Sequence, residues 1–94
     1  MSRATLVLHE KQVDDVGSII EIKIWSVPPG SLYPHGVKYS LVYIRGGKRA
    51  LGYDNAHGHD HRNYPGESQP YRFKNMRTLL RDFRRDLNRI KQDE

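Results

Sequence analysis

No cysteine occurs in these 94 residues, which excludes both a disulfide framework and a thiolate nucleophile. Apolar runs stop after a few residues, far short of the roughly 20 that cross a bilayer. Nothing at the start reads as a signal peptide, so a cytoplasmic, soluble chain without a membrane partner is expected. Internal repeats, low-complexity tracts and linker composition are also missing. The whole span 1–94 therefore reads as one domain, since a second core does not fit this length. There is a single tryptophan and only two phenylalanines, against six tyrosines, so much of the aromatic material carries a hydroxyl.

What is present is positive charge. Sixteen Lys and Arg against eleven Asp and Glu give +5, with a pI near 9.7. Such a balance suits a polyanion or an acidic protein partner. Most of the excess is arginine in the second half, which favours bidentate contacts to phosphate or carboxylate over diffuse attraction.

Thr5 to His9 reads as a β-strand, and Val13 to Gly17 as a turn. From Ser18 to Val27 the residues alternate, with Ile20, Ile22 and Ile24 on one face and Glu21 and Lys23 on the other beside Ile19 and Trp25. Pro28-Pro29-Gly30 ends that strand. Two further strands, Lys38 to Arg45 and Lys48 to Tyr53, are joined by Gly46-Gly47, a pair suited to a primed hairpin turn. An unbroken register from that turn sets Tyr43 opposite Ala50 and Leu41 opposite Gly52. Pro65-Gly66 and Pro70 mark turns, and Tyr71-Arg72-Phe73 reads as a short last strand. A helix follows, with Asn75 as N-cap and Met76, Leu79, Leu80, Phe83, Leu87 and Ile90 on one arc. Arg77, Arg81, Arg85 and Arg89 form a second line at four-residue steps, and Asp82 and Asp86 occupy the other flank. Like charges four apart repel weakly, so a neutralising partner is one explanation and a solvated face the other. These elements predict an α+β fold, an antiparallel sheet of four to five strands with one C-terminal helix packed on one face.

The segment from Tyr53 to Tyr64 is the chemical centre of the sequence. His57, His59 and His61 lie within five residues, flanked by Asp54, Asp60, Arg62 and both tyrosines. Read as a loop continuing from the second hairpin strand, it suits three uses. Alternating histidines on an extended segment share a side and are able to share a metal ion. Cleavage of RNA without a metal needs a base, an acid and a cation near the phosphate, and these residue types supply them. Solvated histidines beside an Asp54-Asn55 turn are the plain alternative. His9 and His35 are isolated and read as structural, while Tyr33, Tyr39 or Tyr71 would stack on a base if their sheet face were open.

Gly52-Tyr53-Asp54-Asn55, then Asp60-His61-Arg62 and Tyr64, resemble the signature of the TumE family of small toxins. The resemblance extends to Glu21 through Trp25 with the prolines after it, to His35 through Leu41, and to Pro70 through Phe73, which is most of the chain. It implies the toxin half of a type II toxin–antitoxin pair, with a helix-turn-helix antitoxin as partner and RNA as target; taken with the residues above, a ribonuclease that uses no cofactor or metal is the expectation. A homodimer is compatible with it. On this reading His61 is the base or acid, Asp54 or Asp60 orients it, Arg62 stabilises phosphate charge and Tyr64 positions the substrate. The sequence departs from the family pattern in a loop one residue shorter between Asn55 and Asp60, and in Asn63 where a second histidine is usual; either the activity is weakened by that change, or His57 or His59 substitutes. Arg77, Arg81 and Arg85 are the nucleic-acid contacts expected from the helix. The alternative function is a non-catalytic basic module that binds nucleic acid or an acidic antitoxin segment.

Overall fold

The computed structural model describes residues 4–64 and 67–94, apart from the His57 side chain. Its strands are β1 (Thr5–Val13), β2 (Ile19–Ser26), β3 (Val37–Arg45), β4 (Lys48–Asp54), β5 (His61–Tyr64) and β6 (Glu67–Pro70), followed by helix α1 (Met76–Gln92). The strands pair antiparallel in chain order, β1 to β6, in one six-stranded sheet. The α+β class and the single C-terminal helix agree with the sequence reading. The sheet exceeds it by at least one strand, because β5 and β6 occupy what the sequence marked as loop and turns. Tyr71 to Phe73, expected to be a strand, lies outside the sheet. The turn expected at Pro65-Gly66 lies outside the described residues.

The alternation in β2 decides which face is inside. Ile22 and Ile24 are buried on the helix side, while Glu21, Lys23 and Trp25 are half-buried on the other. At the tip of the β3–β4 hairpin both Gly46 and Gly47 have positive φ, 60° and 75°, which side chains other than glycine seldom adopt. The register then differs from the unbroken one. Arg45 pairs with Lys48 and Ile44 with Arg49, but Tyr43 faces Leu51 and Leu41 faces Tyr53. Ala50 is the extra residue of a bulge. Without it, Ala50 and Gly52 would turn inward and expose Leu51 and Tyr53, both of which are fully buried here.

α1 begins where the Asn75 side chain accepts a hydrogen bond from the Thr78 amide at 2.8 Å, as the cap signal predicts. Leu79, Phe83 and Leu87 are buried against Ile22, Ile24, Tyr39, Leu41, Tyr43, Leu51, Tyr53 and Phe73. Polar contacts complete the docking. Sheet-side hydroxyls donate to carboxylates carried by the helix and the residues after it: Tyr71 to Asp82 at 2.7 Å, Tyr53 to Asp86, and Tyr43 to Glu94 at 2.6 Å. The sequence placed Asp82 and Asp86 only on the flank away from the arginine line; they are 8% and 2% exposed. The helix thus lies on one face of the sheet, and among the described elements nothing covers the other.

Candidate functional site

β4 and β5 divide the candidate residues between the two faces of the sheet. Cross-strand partners share a face, and successive residues on a strand alternate. Asp54 pairs with His61, Tyr53 with Arg62 and Gly52 with Asn63. Tyr53 is inside, so Arg62 points to the helix, whereas Asp54 and His61 lie together on the open face. His61 and Arg62 are therefore not brought into one pocket. His59 joins the open-face pair, its ring centroid 6.0 Å from that of His61.

The turn between β4 and β5 is built from the rest of the signature. Asp54 accepts a hydrogen bond from the Ala56 amide at 3.3 Å, and residues Ala56–Gly58 form one 3-10 turn. Gly58 has φ +80°, and a Cβ there would stand 3.0 Å from the Leu32 carbonyl oxygen, so this close crossing requires glycine. Asn55 is buried. Its side-chain carbonyl accepts from the Tyr39 amide at 2.9 Å and its amide donates to the Val37 carbonyl at 2.8 Å, extending the β3 pairing past the end of β4. Replacing Asn55 with alanine leaves both backbone groups unpaired, and we expect a loss of about 2 kcal/mol, read as a lower midpoint in urea denaturation.

Asp60 faces the helix side and accepts from the Tyr39 hydroxyl at 2.8 Å. Burial first, and this carboxylate second, push the Tyr39 hydroxyl far above its ordinary value. Arg62 donates to the Gln69 carbonyl oxygen, lies 3.4 Å from Asp86, and sits over the Tyr64 ring at 5.5 Å. Asp86 also takes the Tyr53 hydroxyl and stands 3.6 Å from Arg85. Arg62 is thus held within a structural network, and its charge is balanced by a carboxylate that is nearly inaccessible. The His57 backbone belongs to the 3-10 turn, but its side chain lies outside the described residues.

Among the described residues no three His, Asp or Glu side chains converge as a metal cluster would. His9 Nε2 donates to the Glu21 carboxylate at 2.8 Å, and His35 packs on Phe73 with ring centroids 5.1 Å apart. Tyr39 is 1% exposed and cannot stack on a base. Of the residues that matter here, sequence reasoning missed the roles of Asp82, Asp86 and Tyr53. The signal was faint but present: two acids four apart bordering an apolar arc, opposite tyrosines that need acceptors once buried.

On the outer side of α1, Arg77, Arg81, Arg84 and Arg85 line an open groove of about 730 Å³ with Leu80 and Asn88. Arg81 and Arg85 each keep one contact to Asp82, at 3.4 and 3.2 Å. Among the described residues no helix is long and apolar enough to cross a membrane.

In comparison with known proteins, the family model described as Toxin TumE matches residues 3–92, nearly the whole chain. No curated protein and no solved structure matches.

Proposed function

The chain belongs to the TumE toxin family, and from that premise we propose that it is an RNA-directed toxin acting as a metal-independent ribonuclease, neutralised by a helix-turn-helix antitoxin. The observation that supports this most is the pairing of Asp54 with His61 on the open face, with the His59 ring 6.0 Å from that of His61. Two imidazoles at this separation suit opposite sides of one phosphodiester. In the proposed reaction one imidazole, His61, takes the proton of the 2′-hydroxyl while its oxygen attacks phosphorus. The 5′-oxygen leaves with a proton from the second imidazole, giving a 2′,3′-cyclic phosphate and a 5′-hydroxyl. Asp54 orients His61. Asp60, Arg62 and Tyr64 act from the helix side as positioning residues that hold β5 and the turn before it.

The test is His61→Ala. Growth inhibition on expression should disappear, while the variant's stability in urea stays within about 1 kcal/mol of the parent, because the side chain is only half-buried. A variant that remains fully toxic removes the assignment.

The arginine groove on α1 favours a second reading, a basic surface that binds nucleic acid, or an acidic antitoxin segment, without catalysis. Here Arg77, Arg81 and Arg85 carry the binding. Its signature is salt-sensitive association that survives loss of His61 and fails when these arginines are reversed in charge.

A further inference from the structure

The helix covers one side of the sheet, and the other side has a composition of its own. Across the middle of the open face run cross-strand partners in a single rung: His9, Lys23, Ser40, Asp54 and His61. Next to it, Trp25 pairs with Lys38, whose ammonium lies 5.4 Å from the indole centroid. On the far side of the rung Arg49 lies across Gly52. A Cβ at residue 52 would stand 3.2 Å from the Arg49 Cδ, so a residue without a side chain leaves the guanidinium room to cross the sheet beside Asn63. The acidic groups on this face of the described strands are Asp54 and, one rung along from it on β2, Glu21, already bonded to His9. The face therefore has net positive charge, and it carries the only tryptophan of the chain, which is half-buried.

An ordinary solvated sheet face needs neither an indole nor cations on both sides of it. Stacking surface interleaved with positive charge is the chemistry that holds a single strand of nucleic acid, with bases on the aromatic ring and phosphates on the cations. We propose that the open face is the binding track for single-stranded RNA, with a base stacked on Trp25 and the backbone passing Lys38, Lys23 and Arg49 toward His61. With strands about 4.8 Å apart, Trp25 lies roughly 15 Å from His61, a distance a few nucleotides bridge. Lys38 moves from the indole to a phosphate as the base arrives. Duplex RNA, which hides its base faces, is excluded by this mode of contact. The proposal rests on the RNA-directed reading of the toxin but is independent of cleavage.

The test uses the intact protein and a short oligouridine with 2′-O-methyl groups, which has no 2′-hydroxyl and cannot be cleaved. Tryptophan fluorescence should quench saturably as the oligomer is added, and less strongly at higher salt. Lys38→Glu and Arg49→Glu should each raise the dissociation constant about tenfold, and Trp25→Ala, followed by anisotropy of labelled RNA, by at least as much. The double variant Arg77→Glu, Arg81→Glu on α1 should bind as the parent does. Should Trp25→Ala fold poorly, Lys38→Glu and Arg49→Glu decide alone. Binding without quenching that is abolished by the α1 variant would overturn the proposal and assign RNA to the helix groove, and no binding of single strands at all would overturn it outright. Loss of the ribonuclease reading would show separately, as cleavage or toxicity that survives His61→Ala, and leaves this binding experiment unaffected.

Discussion

Asp86→Ala is expected to cost about 3–5 kcal/mol, the usual range when one member of a buried ion pair is removed. For a domain of this size that is a large part of the total stability, which is typically about 5–15 kcal/mol. The carboxylate is 2% exposed and is shared by the Tyr53 hydroxyl, Arg62 and Arg85. Alanine would leave the Arg62 guanidinium without its carboxylate and a buried phenol without an acceptor. Tyr53→Phe is the informative contrast. It removes one donor but leaves Asp86 paired with two arginines, and should cost only about 1 kcal/mol. Urea denaturation of both variants, followed by circular dichroism, measures the difference. An Asp86→Ala midpoint equal to that of Tyr53→Phe would show that the two arginines add nothing to stability through Asp86.

Alkaline pH should unfold the protein cooperatively, and tyrosinate absorbance should appear together with the loss of helix. Burial is the main cause that raises the hydroxyls of Tyr39, Tyr53 and Tyr71, and hydrogen bonds to Asp60, Asp86 and Asp82 add to it. In the unfolded chain a tyrosine titrates near 10, so above that pH the unfolded state releases protons that the folded state keeps. Stability is then intact below about pH 10 and falls as pH rises beyond it. Each hydroxyl contributes up to about 1.4 kcal/mol for every further pH unit, and three together up to about 4. Spectrophotometric titration beside far-ultraviolet circular dichroism checks this. Ionisation of these three groups in a chain that keeps its helix would contradict it.

The parts of the fold that could be read from the sequence are those where local chemistry and tertiary structure agree. The isoleucines of β2, the glycine pair of the hairpin and the Asn75 cap each have one structural solution, and each takes it. β5 and β6 were illegible because His61 to Tyr64 and Glu67 to Pro70 carry no apolar alternation. They are strands because the edge of β4 offers them a ladder. Once β5 is a strand, its neighbouring residues must part, which separates His61 from Arg62 and splits the expected site in two. Tyr71 to Phe73 has strand-like residues, yet its aromatics are used beneath the helix: Phe73 stacks on Tyr39 at 5.5 Å and Tyr71 meets Tyr53 edge-on at 4.9 Å. The bulge at Ala50 depends on which side the hairpin buries, which no turn rule specifies. The acids of α1 resemble a solvated flank until the tyrosines opposite them are located. Of the candidate site, Asp54, His61 and their neighbourhood were visible, whereas the placement of Trp25 and Arg49 on the open face needed the register.

The chain-order meander has a consequence for how the molecule comes into being. Each strand finds its neighbour in the segment just synthesised, so pairing can keep pace with the ribosome, and such short-range topology favours rapid folding. The sheet's inner side, however, stays wet until α1, which follows all six strands in the chain, reaches it. A chain stalled before Met76 would present phenolic and aliphatic surface with no lid and no carboxylates to receive its hydroxyls. Arrival of α1, rather than assembly of the sheet, is the event that closes this domain.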